Sequence, residues 1–440
     1  MTVERSDIEA AIFEVVEELL ESIDAEFEDD VTSDVMLIAD AGFSSIDFVQ
    51  MTVMIEESLN RKIGFQDMLM KDGQYVDDLS VGQVVDFTVD RLNSPAAAGN
   101  GAAEPTAAAP TAMAAGGRTV TAQDVEQFVK LIKPRKIASA GGHALKNRRA
   151  VFILSPPRSG STLLRVMVAG NPALFAPPEL HLLSYATMDE RRADLSSDHS
   201  EQLLDGTVRA LMQTRDWTGD QARQFIAECE ANGMGTREFF GILQENLGDR
   251  LLVDKTPTYA FSLDILRQAE EYFEDPLYIH LTRHPCGMIR SYEESNLTRM
   301  MPLMMKNADF SMAAVAEMIW LVSNRNILEF SQSVPSERWF PVSYENIVND
   351  PESNMRRLCK FLGVPYAEDM INPYSDRKAR MTDGVDNASK MSGDLKFHLH
   401  SQIDPAAATR WRQFCSEDML GQETLELVST LDAGAASIRV

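Results

Sequence analysis

The stretch AVFILSPPRSGSTLL at residues 150–164 decides how this chain is read. Its first five residues, Ala150 to Leu154, form a continuous apolar run that predicts a short buried strand. A Pro/Ser/Gly turn follows, and Ser161-Thr162-Leu163-Leu164 opens a helix. A strand, a tight loop and a helix start in that order aim backbone N–H groups and a helix N-terminus at one point, which makes an anion site. The loop is not a Walker A motif. GxxxxGK[ST] needs a lysine before its Ser/Thr, and Arg158-Ser159-Gly160-Ser161-Thr162 has none there, which argues against a kinase or ATPase.

Outward from that point, LYIHLT (Leu277–Thr282) and WFPVSY (Trp339–Tyr344) are further β-prone runs. Helical apolar spacing lies between them, at 199–213, 220–232, 262–274 and 311–331. Strands alternating with helices over this length predict a mostly parallel sheet with helices on both faces. Upstream, residues 95–117 are nearly all Ala, Gly, Pro and Thr and lack the large apolar side chains that offset the entropy of ordering, which predicts a tether. Before the tether, Ile8, Ile12, Val15 and Leu19, then Ile46, Val49 and Val53, then Val81, Val84, Val85 and Phe87 follow helical spacing. Three or four amphipathic helices without strand alternation predict a small bundle. The expected organisation is therefore α followed by α/β: a helical domain over 1–94, a linker over 95–120 and an α/β domain over 121–440.

The 440 residues carry 41 Lys+Arg against 67 Asp+Glu, a net charge of −26, which disfavours a nucleic-acid binder. Residues 1–95 alone hold 23 acids and five bases, so most of the acidity sits in the helical segment. No apolar run reaches the length of a spanning helix, and the first ten residues lack the apolar core of a secretory signal, which predicts a cytoplasmic protein without membrane insertion. Cys229, Cys286, Cys359 and Cys415 are far apart and form no C-x-x-C pair, so they read as reduced and structural.

In the acidic segment, Asp40-Ala41-Gly42-Phe43-Ser44-Ser45-Ile46-Asp47 places two serines where a loop enters a helix. Either serine serves as a plain N-cap. In an acidic bundle of this length the same motif resembles that of an acyl carrier protein, a four-helix bundle that carries 4′-phosphopantetheine on a serine. The resemblance implies Ser45 as the attachment residue, with Ser44 and Ile46 departing mildly from the commonest form. It also implies a phosphopantetheinyl transferase as a partner, and an acidic helix face (Asp47, Glu56, Glu57) for basic partners.

In the second domain, Ser155-Pro156-Pro157-Arg158-Ser159-Gly160-Ser161-Thr162-Leu163-Leu164 resembles the 5′-phosphosulfate loop of sulfotransferases, which use 3′-phosphoadenosine 5′-phosphosulfate (PAPS). Leu281-Thr282-Arg283-His284-Pro285, with Ser291 eight residues after Arg283, resembles that family's 3′-phosphate site. Tyr344-Glu345-Asn346-Ile347-Val348 and Phe361-Leu362-Gly363-Val364-Pro365 resemble its C-terminal architecture. Thr409-Arg410-Trp411-Arg412 resembles its late Arg/Trp segment, where Arg412 either closes over the nucleotide or packs. The resemblance implies a P-loop-like α/β fold in which Arg158, Ser159, Gly160, Ser161, Thr162, Leu163, Arg283, Ser291 and Arg412 bind PAPS, with no metal.

Sulfuryl transfer needs cations for the leaving group and a base for the attacking hydroxyl. Arg158 and the loop amides supply the first. Pro177-Pro178-Glu179-Leu180-His181 follows the loop helix, and the resemblance puts the base at Glu179, with His181 as its rival. Asp254-Lys255-Thr256-Pro257 matches the position of a lysine that contacts the transferring group, which implies Lys255. Met300, Met301, Met304, Met305, Met312 and Met318 form either an adaptable lid over an acyl chain or ordinary core. Seven bases without an acid from Lys130 to Arg149 either dock the acidic domain or form a solvated connector.

A carrier fused to a sulfotransferase resembles the carrier–sulfotransferase segments of modular polyketide synthases and terminal-olefin synthases. That likeness implies sulfation of the β-hydroxyl of a carrier-bound 3-hydroxyacyl chain delivered by an upstream synthase. The 27 residues after Gln413 are too few for a thioesterase, so a separate protein completes the sequence or the sulfate ester is the output. Two other readings stay open: a sulfotransferase acting on a free small molecule or another carrier, and a catalytically inactive scaffold.

Overall fold

The computed structural model describes residues 5–22, most of 31–93, 119–132, 145–196, 201–294, 310–375, 380, and 402–436 apart from 414. The chain divides into two compact units, Met1–Ala109 and Pro110–Val440.

In the first unit, α1 (Arg5–Ser22) and α2 (Val81–Asn93) bury apolar stripes at helical spacing. Ile8, Ile12, Val16 and Leu19 lie fully buried with Val81, Val84 and Val85, joined by Met51 and Ile55 from a stretch whose described residues are helical. Burying side chains of this size contributes about 1.5–3 kcal/mol each. The loop before residue 43 is strapped down by a Ser33 Oγ hydrogen bond to Glu9 Oε1 (2.9 Å) and by the Gly82 amide on the Ser33 carbonyl (2.8 Å). A short antiparallel pair, β1 (Met70–Lys71) with β2 (Gln74–Tyr75), is an addition that no alternating pattern announced. Ser44, Ser45, Ile46, Val49 and Val53, and the tether at 95–117, lie outside the described residues.

The second unit opens with α3 (Ala122–Leu131), held at its start by a capping box between Thr121 and Asp124. Its centre is a five-stranded sheet of β3 (Ala150–Leu154), β4 (Leu174–Phe175), β5 (Leu251–Lys255), β6 (Leu277–Thr282) and β7 (Trp339–Ser343). The spatial order is β4-β5-β3-β6-β7, and every pairing is parallel. The helices between the strands are α4 (Ser161–Ala169), α5 (Met188–Leu195), α6 (Asp205–Arg215), α7 (Gly219–Ala231), α8 (Thr236–Glu245), α9 (Leu263–Tyr272), α10 (Pro285–Glu294) and α11 (Met312–Ser331). After β7 come α12 (Tyr344–Asn349), α13 (Pro351–Leu362) and α14 (Gln422–Ala436).

β3 shows why the sheet is covered on both faces. All five of its residues are buried, and alternate side chains enter different cores. Ala150, Phe152 and Leu154 join Phe239, Phe240, Phe273 and Tyr278; Val151 and Ile153 join Leu164, Val166, Ile279 and Leu358. Phe152 meets Phe273 edge-on at 5.3 Å, and Phe273 meets Phe240 at 5.1 Å.

Among the described bases of the Lys130–Arg149 stretch, two serve helix ends. Arg148 donates to the Gly248 and Gln244 carbonyls (2.7 and 2.5 Å), and Lys146 donates to the Glu270 carbonyl (2.7 Å). Met318 is fully buried core beside Ile319 and Trp320, whereas Met300, Met301, Met304 and Met305 lie outside the described residues. One expectation is corrected. Cys286 and Cys415 are joined in a disulfide with Cα atoms 5.7 Å apart, while Cys229 and Cys359 are free and buried. The first turn of α10 and the segment after Trp411 pack together and close a separation of 129 residues, which linear spacing does not show. No helix among the described residues is long and apolar enough to cross a membrane.

Candidate active site

The strand order reverses at β3, and the expected site residues gather at the carboxyl ends of the strands beside it, the usual crevice of an open parallel sheet. The loop after β3 carries Arg158, β5 ends on Lys255, and β6 leads into Arg283. Register brings Ile153 opposite Lys255 and Leu154 opposite His280, so these three ends are level.

Between Ser155 and Gly160 the backbone turns through two left-handed residues, Arg158 (φ 60°) and Gly160 (φ 82°). Gly160 is doubly constrained, because a Cβ there would sit 2.2 Å from Cδ2 of Tyr344. It caps α4 with no side-chain hydrogen bond, so the first amides of that helix, at Ser161, Thr162 and Leu163, keep their donors for a ligand. Ser155 Oγ and Ser159 Oγ are buried in the same loop without a hydrogen-bond partner. Buried hydroxyls are normally paired, and two orphans beside uncapped helix amides suit the oxygens of a phosphate group.

Arg158, Arg283 and Ser291 come together. Arg158 Nε donates to Ser291 Oγ (3.2 Å), Arg283 Nη1 donates to the Arg158 carbonyl (2.8 Å), and the Arg283 guanidinium lies 4.4 Å from the centre of the Tyr344 ring. Trp320 Nε1 holds the Arg283 carbonyl (2.8 Å), and Glu345 Oε1 accepts the His284 amide (3.0 Å). The late segment reaches the same corner, with Trp411 stacked on His284 at 3.7 Å and Arg412 5.2 Å from the Trp411 ring centre. Arg412 itself is exposed.

Glu179, His181 and Lys255 form a buried cluster with side-chain exposures of 13%, 5% and 2%. Lys255 Nζ pairs with Glu179 Oε1. His181 Nε2 lies 3.2 Å from Glu179 Oε2, and its Nδ1 is 3.4 Å from Thr258 Oγ1. Burial pushes the Glu179 carboxyl up, but Lys255 and His181 outweigh it and hold the group at about 2. Burial draws His181 below its ordinary value against the pull of Glu179, so the imidazole is neutral near pH 7. Burial likewise lowers Lys255 against the same carboxylate. The cluster thus presents an ionised carboxylate, an ammonium and a neutral imidazole in a site sheltered from water. Such a set can hold an anionic group and take a proton.

Several contributors escaped the sequence reading. Tyr344 was read as architecture, yet its ring lies against both Gly160 in the loop after β3 and Arg283. Arg165, on the buried face of α4, donates to the carbonyls of Ala176 (2.9 Å) and Arg380 (3.0 Å). An arginine inside an apolar helical stripe was the available signal. Ser45 lies outside the described residues.

Residues 150–368 match the model of the Sulfotransferase family. The chain resembles the sulfotransferase domain from the curacin biosynthetic pathway, with 37% identity and a TM-score of 0.60 over 66% of this chain and 99% of that one. It resembles the sulfotransferase domain of the Synechococcus PCC 7002 olefin synthase equally in identity, 37%, with a TM-score of 0.58 over 66% of this chain and 97% of that one. A protein-tyrosine sulfotransferase A of Caenorhabditis elegans is 22% identical over 50% of this chain and 52% of its own length. The chain spans about half the length of the curated relatives it matches. The loop after β3 at the sheet's switch point, the buried cluster beside it and the identity to two sulfotransferase domains lead to one conclusion: this chain belongs to the sulfotransferase family.

Proposed function

We propose that this protein transfers a sulfuryl group from PAPS to the β-hydroxyl of an acyl chain carried as a thioester on 4′-phosphopantetheine at Ser45. The observation that carries the chemistry is the buried Lys255–Glu179–His181 cluster beside a loop with two unpartnered serine hydroxyls. The acceptor class is supported by the likeness to domains from the curacin pathway and an olefin synthase. It is supported further by the separate acidic unit at the N-terminus, read as a four-helix carrier.

PAPS is the donor substrate, its 5′-phosphosulfate on the α4 amides, Ser155, Ser159 and Arg158, and its 3′-phosphate toward Arg283, Ser291 and Arg412. The acceptor oxygen attacks sulfur, an O–S bond forms, and the S–O bond to the 5′-phosphate breaks as its electron pair leaves with the bridging oxygen. Lys255 and Arg158 offset the charge that develops there. Glu179 takes the hydroxyl proton. While Lys255 pairs with it, Glu179 is too weak a base; once Lys255 turns to the sulfuryl oxygens, burial raises the carboxyl toward useful basicity. His181, neutral in the same cluster, is the alternative proton acceptor.

The test is intact-protein mass spectrometry of the chain loaded with a 3-hydroxyacyl-phosphopantetheine and incubated with PAPS. The expected result is a PAPS-dependent gain of one SO₃ on the arm, absent in Ser45→Ala, which cannot be loaded, and in Glu179→Gln. Loading without that gain, with the product nucleotide PAP still bound, overturns the tethered acceptor in favour of a free hydroxyl compound.

A further inference from the structure

The segment that carries Glu179 and His181 has no regular secondary structure, yet His181 holds a left-handed backbone, φ 51°, in a fully packed setting. A non-glycine residue stays in that region only where its surroundings over-determine it. The surroundings here are a small buried network grown from the end of β5. In the run Asp254-Lys255-Thr256-Pro257-Thr258-Tyr259, Pro257 opens a single 3-10 turn, and the turn folds Tyr259 back toward Asp254. Tyr259 donates its hydroxyl proton to Asp254 Oδ2 (2.8 Å) and accepts the amides of Leu182 (3.0 Å) and Leu183 (3.2 Å). Thr256 donates to Asp254 Oδ1 (2.9 Å) and accepts the His181 amide (3.4 Å).

The chemistry of each group leaves little choice of orientation. A phenol has one proton and two lone pairs, and all three positions of Tyr259 are taken. The Asp254 carboxylate collects both hydroxyl protons, which turns both oxygens' lone pairs toward three consecutive amides. Asp254, Thr256 and Tyr259 are each 1% exposed, so water does not substitute for any of them. From the other side, Arg191 Nε donates to the Leu180 carbonyl (3.0 Å), between the two reacting residues.

We infer that Tyr259, with Asp254 and Thr256, is a positioning residue for the transfer step, gripping the amides of residues 181–183 and thereby aiming Glu179 and His181. The inference rests on the reading of Glu179, His181 and Lys255 as the reacting cluster. Tyr259→Phe removes one oxygen, keeps the ring in the core, and strands two buried amides and one carboxylate oxygen. Among the described residues no hydrogen bond joins these groups to residues 155–160, so nucleotide binding is a built-in control.

The experiment compares the full-length wild type with Tyr259→Phe, Thr256→Val and Thr256→Ser. It reads kcat with the 3-hydroxyacyl-loaded chain, PAP affinity by calorimetry, and the imidazole nitrogen resonances of His181. Tyr259→Phe is expected to lower kcat roughly ten- to a hundredfold, the penalty of an ångström-scale misplacement, with PAP affinity changed less than about twofold. Thr256→Val falls in the same direction, Thr256→Ser recovers most of the loss, and the His181 resonances move while those of the other histidines hold. A kcat for Tyr259→Phe within about twofold of wild type, or equal losses of kcat and PAP affinity, overturns the clamp. A wild type that binds PAP but never sulfates the loaded chain defeats the acceptor reading alone. The clamp then stands if the His181 resonances move in Tyr259→Phe and falls if they do not.

Discussion

Glu179 sits under opposing influences: burial favours its protonated form, and Lys255 and His181 favour the carboxylate strongly enough to hold it at about 2. The sign for catalysis follows. Glu179 must be deprotonated to accept a proton, which in the free enzyme holds at every pH above about 2. His181 must be neutral, which holds above a value that burial has lowered from 6.5. With Glu179 as the base, kcat/KM shows no acid limb attributable to the base down to about pH 5, while the kcat profile shows a limb at higher pH, because Lys255 has left the carboxylate in the ternary complex. Stopped-time sulfation assays from pH 5 to 9 check this. An acid limb of kcat/KM below 6.5 that disappears in His181→Asn would transfer the role to His181. The identities of Glu179, His181 and Lys255 were legible as candidates because each stands in a short motif. Their mutual contact was not, since 76 residues separate Glu179 from Lys255.

At the scale of elements, β3, its loop and α4 form one unit, and two glycines show how the neighbouring elements constrain the site. Gly160 has a left-handed backbone and faces the Tyr344 ring, so Gly160→Ala meets both a conformational cost of about 1–2 kcal/mol and a displaced ring. The expected outcome is a loss of PAP affinity of roughly tenfold or more, read by calorimetry, since about 1.4 kcal/mol corresponds to a factor of ten. Gly206, in α6, lies against the Glu179 carbonyl, where a Cβ would approach to 1.9 Å. Gly206→Ala therefore pushes the backbone of Glu179, and the expected outcome is lower kcat with PAP affinity nearly unchanged. Opposite patterns in the two variants would refute this division of labour. Local chemistry made the strand-loop-helix readable, because five buried apolar residues, a Pro/Ser/Gly turn and an uncapped helix start each have a short-range cause. The strands Leu174–Phe175 and Leu251–Lys255 were missed. One is two residues long, and the other reads LLVDK, whose buried Asp254 is partnered by Thr256 and Tyr259 just after it and whose buried Lys255 is partnered by Glu179 from across the fold.

At the scale of the whole molecule, two compact units share one chain, and the net charge of −26 is concentrated in the first. In the second, the Cys286–Cys415 bond ties the start of α10, which carries Ser291, to the segment that follows Trp411 and Arg412. Alkylation of unfolded, unreduced protein followed by mass analysis is expected to label Cys229 and Cys359 only, with all four cysteines labelled after reduction. Four labels without reductant would remove the bond. The sequence-based reading of the cysteines as reduced holds for Cys229 and Cys359 and fails for Cys286 and Cys415, because spacing carries no information on which distant segments a sheet brings together.

What the sequence determined by itself was whatever depends on near neighbours: three of the five strands of the parallel sheet, helix faces, the Pro/Ser/Gly turn before the helix at Ser161, and motifs specific enough to point to a sulfotransferase. What only the tertiary structure decided was which of those residues meet. The parallel sheet sets the ends of β3, β5 and β6 level, and this brings Lys255 to Glu179 and Arg283 to the Arg158 carbonyl. Tyr344 over Gly160 and Tyr259 on the amides of Leu182 and Leu183 belong to the same class. The physical reason is range. Propensity, capping and turn chemistry act within a few residues along the chain, whereas electrostatic partnership and close packing act across a few ångströms of space, wherever the chain happens to return.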